Sequence, residues 1–104
     1  MDLKDFREAL QAFKAHNPFI SAQLMEVFVL TCLREGRPAQ EIENELLIPK
    51  STLSRHLAHL GPSYRRGSEG LRLVRLEENP QDRRSKLVYL TERGASLRDQ
   101  IIHL

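Results

Sequence analysis

The residues of this chain best suited to chemistry are cationic and clustered. Positions 71–94 read LRLVRLEENPQDRRSKLVYLTERG, two apolar-basic stretches around a tip that holds Asn79, Pro80, Asp82, Arg83 and Arg84. Asn-Pro marks a turn, so this run is predicted to be a β-hairpin with two arginines near its end. A thin cationic ribbon can reach DNA phosphates or enter a narrow minor groove. Asp82 stands two residues before Arg84, placed to orient that guanidinium through a charge-assisted hydrogen bond. Arg84 is therefore the expected minor-groove contact, with Arg83 and Lys86 serving phosphates.

A second set of polar residues lies just upstream. Positions 38–61, PAQEIENELLIPKSTLSRHLAHLG, read as helix, short turn, helix. Ala39, Ile42 and Leu46 share one helical face. Ile48 and Pro49 break the pattern, since Pro has no N–H to continue the ladder. A second helix restarts near Lys50 with Leu53, Leu57 and Leu60 as its buried stripe. Gly61 is expected as a C′ residue with Pro62 as the stop beyond it. The opposite face carries Ser51, Arg55, Ala58 and His59, flanked by Thr52 and Ser54, with His56 nearer the core edge. Small hydroxyls let such a helix enter a major groove closely, and arginine can span guanine O6 and N7 or clamp a phosphate. An ordinary amphipathic surface helix would show the same residues. Its position between a short first helix and a basic hairpin favours the docking geometry of a helix-turn-helix. Lys50, Ser51, Thr52, Ser54, Arg55 and His59 are the expected DNA-facing set.

Charge is distributed in keeping with this. The chain has 16 Lys/Arg against 14 Asp/Glu, a net charge of only +2. Positions 1–49 are net −3, positions 50–86 net +5 and positions 87–104 neutral. The positive excess thus coincides with the second helix, the following loop and the hairpin, as expected of a nucleic-acid face. Nothing resembles catalytic machinery: there is no Gly-rich phosphate loop and no nucleophile motif, so no enzyme and no cofactor is expected. The four histidines, His16, His56, His59 and His103, lack partners at metal spacing. His56 and His59 are expected to face solvent or DNA. The single cysteine, Cys32, excludes an intrachain disulfide and reads as a small buried hydrophobe.

These groups need a scaffold. A chain of 104 residues is expected to make one domain spanning 1–104. No apolar run approaches the roughly 20 residues that span a membrane, and no secretory segment opens the chain, so a cytoplasmic location is the expectation. Positions 2–15 read as a helix with a heptad-like seam of Leu3, Phe6, Leu10 and Phe13. Positions 20–35 are apolar around much of a helix, with Ile20, Leu24, Val27, Phe28, Leu30, Thr31 and Cys32, which predicts a central buried helix. Gly36 ends it. Positions 91–104 read as a last helix, with Thr91 as N-cap, Glu92 favourable to the dipole, and Leu97, Ile101, Ile102 and Leu104 apolar.

With its elements in this order the chain resembles the MarR family of winged helix-turn-helix transcription regulators. The pattern D-R-R-x-x-x-V-x-L-T-x-x-G is carried by Asp82, Arg83, Arg84, Val88, Leu90, Thr91 and Gly94. The stretch KSTLSR at 50–55 is similar to the start of that family's recognition helix, and the resemblance covers about residues 20–97. It implies an α+β, mainly α, winged helix-turn-helix. The helix-turn-helix would span 38–60 and a two- or three-stranded wing 71–90. It also implies a sequence-specific double-stranded DNA-binding regulator, most simply a dimeric repressor. In that family terminal helices of two subunits interlock. On this reading 1–19 and 91–104 are dimerisation helices, with Leu3, Phe6, Leu10, Phe13, Leu97, Ile101, Ile102 and Leu104 at the homodimer interface; the alternative is that both pack only on their own subunit. Positions 61–70, GPSYRRGSEG, are longer than the family's usual link. With Tyr64, Arg65 and Arg66 this segment is either an extra phosphate-contacting loop or a flexible insertion. The same fold also serves as a protein-interaction adaptor, or as an accessory protein for replication or maintenance of a mobile element. The residues assign no small-molecule effector.

Overall fold

The computed structural model describes residues 1–65 and 68–102. Five helices and two small antiparallel hairpins follow in the order α1 (Leu3–Lys14), α2 (Ala22–Leu33), α3 (Ala39–Leu46), α4 (Lys50–Leu60), β1 (Ser63–Arg65), β2 (Ser68–Glu69), β3 (Val74–Glu78), β4 (Lys86–Leu90) and α5 (Glu92–Ile102). Local chemistry explains most of the boundaries. Asp2 caps α1, its carboxylate accepting from the Asp5 amide at 2.8 Å. Ser21 caps α2 by accepting from the Leu24 amide at 3.1 Å. Thr91 caps α5, its hydroxyl accepting from the Gly94 amide at 3.0 Å and donating to the Arg72 carbonyl at 2.7 Å. Each cap satisfies an N–H that the helix itself leaves unpaired.

The core lies where α2, α3, α4 and the wing meet. Phe28, Leu24, Val27, Ile42, Leu53, Leu60, Leu73, Val74, Val88 and Leu97 are almost fully buried. Phe13 of α1 meets Phe28 edge-on, with ring centroids 5.7 Å apart. The one buried polar side chain among the described residues, Thr31, donates to the Val27 carbonyl at 2.9 Å and so costs little. The predicted central helix is therefore central, and the leucine stripe of α4 is buried as expected.

Three features bear on the expectations. The seam of α1 is covered only toward its C-terminal half: Ala9 and Phe13 are buried, while Leu3 is 86% and Phe6 51% exposed. Second, Gly61 is not a left-handed C′ residue; it is the C-cap of α4 with extended backbone. It is close-packed, because a Cβ on the facing Gly70 would lie 2.0 Å from the Gly61 carbonyl oxygen. Third, the described part of 61–70 has secondary structure of its own, which the sequence did not suggest. It contains the hairpin β1–β2, paired Ser63 to Glu69 and Arg65 to Ser68. Its base is held by main-chain bonds from Gly70 to Pro62, Leu71 to His59, Arg72 to Gly61 and Leu73 to Leu60.

The wing is β3 against β4, in register from Val74 opposite Leu90 to Glu78 opposite Lys86. A third segment of the chain joins its other edge: Gly36 N–H donates to the Val88 carbonyl at 2.8 Å and Val88 N–H to the Arg37 carbonyl at 3.2 Å, with Pro38 bridging Leu87. Gly36 is the stop of α2 and adopts φ +83°, a conformation suited to glycine. Among the described residues no helix is long and apolar enough to cross a membrane.

Candidate nucleic-acid interface

Helix α4 presents Lys50, Ser51, Ser54 and Arg55 as exposed residues, with Thr52, His56, Ala58 and His59 half-buried along its shoulder. Leu53, Leu57 and Leu60 anchor the opposite side, which turns the hydroxyls and Arg55 outward. Both imidazoles, expected to face solvent or DNA, are half-buried beside α2 and the segment before it. His56 Nε2 donates to Gln23 Oε1 at 2.8 Å, and His59 Nε2 lies 3.5 Å from Asn17 Nδ2. Burial, then the neighbouring Arg55 and His59, holds the His56 pKa below the usual imidazole range.

The wing tip is built from side-chain turns. Asn79 Oδ1 accepts from the Gln81 amide at 3.0 Å. Asp82 Oδ1 accepts from both the Arg84 amide at 3.0 Å and the Arg84 Nε at 3.3 Å. These bonds stabilise ionised Asp82, first through the Arg84 amide and then its guanidinium, so its carboxyl titrates below the usual carboxylate range. The Arg84 side chain is 90% exposed beyond them. Arg83 is exposed beside it, and Lys86 faces Glu78 across the ribbon at 3.8 Å. Farther down, Arg75 lies 4.5 Å over the Tyr89 ring and pairs with Glu77.

The helix and the tip adjoin. Lys50 Nζ, at the start of α4, donates to the Arg84 carbonyl at 2.8 Å. Gln40, Glu43, Lys50, Asp82, Arg84 and Ser85 line one cleft between them. A recognition-type helix and a basic ribbon thus share one side of the molecule.

Comparison with known proteins decides the fold. No protein-family model matches the sequence, and no curated protein matches it. A mutant MarR from E. coli complexed with operator DNA has 25% identity and a TM-score of 0.67, over 97% of this chain and 65% of that one. The transcriptional repressor CouR, bound to a 23-mer DNA duplex, has 24% identity and a TM-score of 0.67, over 97% of this chain and 64% of that one. The PcaV transcriptional regulator from Streptomyces coelicolor, in complex with its natural ligand, has 21% identity and a TM-score of 0.62, over 81% of this chain and 54% of that one. The fold is that of the MarR-family winged-helix regulators. The chain spans between half and two thirds of the length of these three proteins.

Within this MarR-like fold the remaining sequence-derived residues fall into place unevenly. Arg65 lies on β1, and Arg66 lies outside the described residues, as does Leu104. Phe13 and Leu97 are core residues of their own chain and have no surface for a partner. Leu10 and Ile101 are half-buried, and Leu3, Phe6 and Ile102 are exposed. Sequence reasoning missed Val29 and Leu33, exposed residues of α2 that line an apolar cleft with Cys32, Ile101 and Ile102. Their signal was present: α2 is apolar on all sides, more than one core can cover. Burial pushes the Cys32 thiol up to about 11, away from a reactive thiolate. Among the described residues no three His, Cys, Asp or Glu side chains form a metal-holding group.

Proposed function

We propose that this chain is a sequence-specific double-stranded DNA-binding transcription regulator, acting as a dimer and most simply as a repressor by promoter occlusion. The observation that carries the reading is the joint between Lys50 and Arg84, which sets the polar face of α4 and the wing tip against one surface. Ser51, Thr52, Ser54 and Arg55 meet the major groove, with His59 at the trailing edge. Arg84 enters the minor groove beside it, oriented by Asp82. Arg83 and Lys86 meet phosphates, and Arg65 and Arg66, in the sequence after α4, add phosphate contacts. Two such subunits related by a dyad present their helices to half-sites about one DNA turn apart, roughly 34 Å. The operator-bound MarR and the duplex-bound CouR, alike in fold, support DNA as the partner.

Fluorescence anisotropy on a random-sequence duplex across a salt series tests this. A DNA reader shows at least weak, salt-sensitive binding, with a Kd on the order of 10⁻⁴–10⁻⁶ M. Arg84→Ala is expected to weaken it and to flatten the salt slope by about one contact per subunit. No binding at low salt would assign the fold to protein interaction instead.

A further inference from the structure

Lys50 stands where a helix does not want it. It is the first residue of α4, behind Pro49, which offers no side-chain cap, in a first turn without an acidic residue. The N-terminus of a helix carries a partial positive charge, and a cation there is unfavourable. Helix stability therefore does not account for this lysine, and the wing does. Its ammonium is held by the Arg84 carbonyl at 2.8 Å, 34 positions away in sequence. On the other side of the same residue, the Arg84 amide is held by Asp82 Oδ1 at 3.0 Å. The main chain of Arg84 is gripped twice, by the wing's own aspartate and by the start of α4.

We propose that Lys50 is a positioning residue, which fixes the wing arginine relative to the recognition helix, rather than a phosphate ligand. The inference rests on the DNA-binding reading above. The two grips do separate work. Asp82 aims the guanidinium within the tip; Lys50 sets the distance from the tip to the helix. The ribbon needs such a tie, because Val74 and Leu90 at its base are buried while Glu77, Glu78 and Lys86 toward its end are exposed. Beyond the pairing of Pro38 with Leu87 the ribbon is two-stranded, and a two-stranded ribbon is marginally stable on its own. A helix and an arginine that must enter adjacent grooves together bind best when their spacing is set beforehand.

The test uses Lys50→Met, which keeps the stem and removes the donor, and Lys50→Arg, which keeps a donor. In the free protein, NMR exchange rates of the Arg84 and Ser85 amides report the tie without DNA. Lys50→Met is expected to speed them roughly threefold to tenfold, the scale of one lost hydrogen bond, and Lys50→Arg to leave them near wild type. Binding is then measured on a duplex selected by the wild-type protein from a random-sequence pool. Arg84→Ala is expected to cost less in the Lys50→Met background than alone, and Lys50→Met alone to leave the salt slope unchanged. Unchanged exchange rates overturn the assignment. So do losses that simply multiply, with a slope reduced by about 0.9 per subunit, the mark of a phosphate ligand. If the wild-type chain selects no duplex, the DNA reading fails, and the exchange rates still decide whether Lys50 holds the wing.

Discussion

On the proposed reading Asp82 sits on a surface that meets phosphates, where its charge alone would be a disadvantage. Its two bonds to Arg84 give it a different use. The two effects make opposite predictions for Asp82→Ala. Were only charge at stake, removing an anion would tighten DNA binding. If aiming Arg84 dominates, binding weakens about threefold to tenfold, the worth of one good hydrogen bond, while the number of phosphate contacts stays the same. The second outcome is expected, and anisotropy titrations at several salt concentrations distinguish the two. The histidines make a separate prediction. Burial lowers the pKa of His16 and of His56, helped by Arg93 at the first and by Arg55 and His59 at the second. A depressed histidine pKa means that the unfolded chain takes up the proton first as pH falls. Stability is therefore full above about pH 7, and declines as pH drops through the ordinary imidazole pKa toward the lower folded value. Urea midpoints measured from pH 7.5 to 5 should fall, and His56→Gln should flatten that slope. A midpoint that rises on acidification would contradict the assignment.

At the scale of elements, the last helix packs tightly against the residue that leads into the wing. A Cβ on Gly94 would lie 1.9 Å from the Leu73 carbonyl oxygen, a backbone atom that cannot swing aside. Gly94→Ala is therefore expected to destabilise the fold by roughly 1–3 kcal/mol, read as a lower urea midpoint with the slope unchanged. The glycine of the sequence motif serves packing here, and the motif shows its place but not that reason. Other elements differ in how far the sequence disclosed them. The helices α2, α4 and α5 were legible because apolar spacing, N-caps and proline breaks act within a few residues. The wing strands were legible from the turn at Asn79-Pro80 and the runs beside it. The β1–β2 hairpin was not, since the bonds closing its base join residues about ten apart and depend on α4 ending where it does. The third segment along the wing was hidden for the same reason: Gly36 and Arg37 pair with Val88 across half the sequence. Periodicity gave α1 its apolar side but not which of its turns lie under other elements, so Phe13, a core residue, was placed with Leu3 and Phe6 at the expected interface. The tip residues were named correctly as neighbours; the reach of Lys50 to Arg84 was beyond any local rule.

The whole molecule divides its apolar surface unequally, and that division yields the last prediction. The side with α4 and the wing tip exposes Lys50, Ser51, Ser54, Arg55 and Arg84, with Phe19 and Leu76 lining clefts beside them. On other elements Leu33 is 73% exposed, Ile102 63% and Leu3 86%, with Phe6 and Val29 also open. The cleft between α2 and α5, lined by Val29, Cys32, Leu33, Ile101 and Ile102, is apolar, and α1 lies against α5 in the same chain. An exposed apolar cleft of this kind marks an interaction site more often than a free one. A second copy is the occupant proposed here, because a dyad through these helices sends two α4–wing units to one duplex. Leu33→Glu with Ile102→Glu is then expected to give a folded monomer in sedimentation equilibrium and to weaken binding to a palindromic site far more than to a half-site. Phe13→Ala should act otherwise. Phe13 is core, so its loss should cost about 3–5 kcal/mol of stability in circular-dichroism melts, without that selective effect on palindromic sites. A double glutamate variant that remains a dimer would place the interface elsewhere on the molecule.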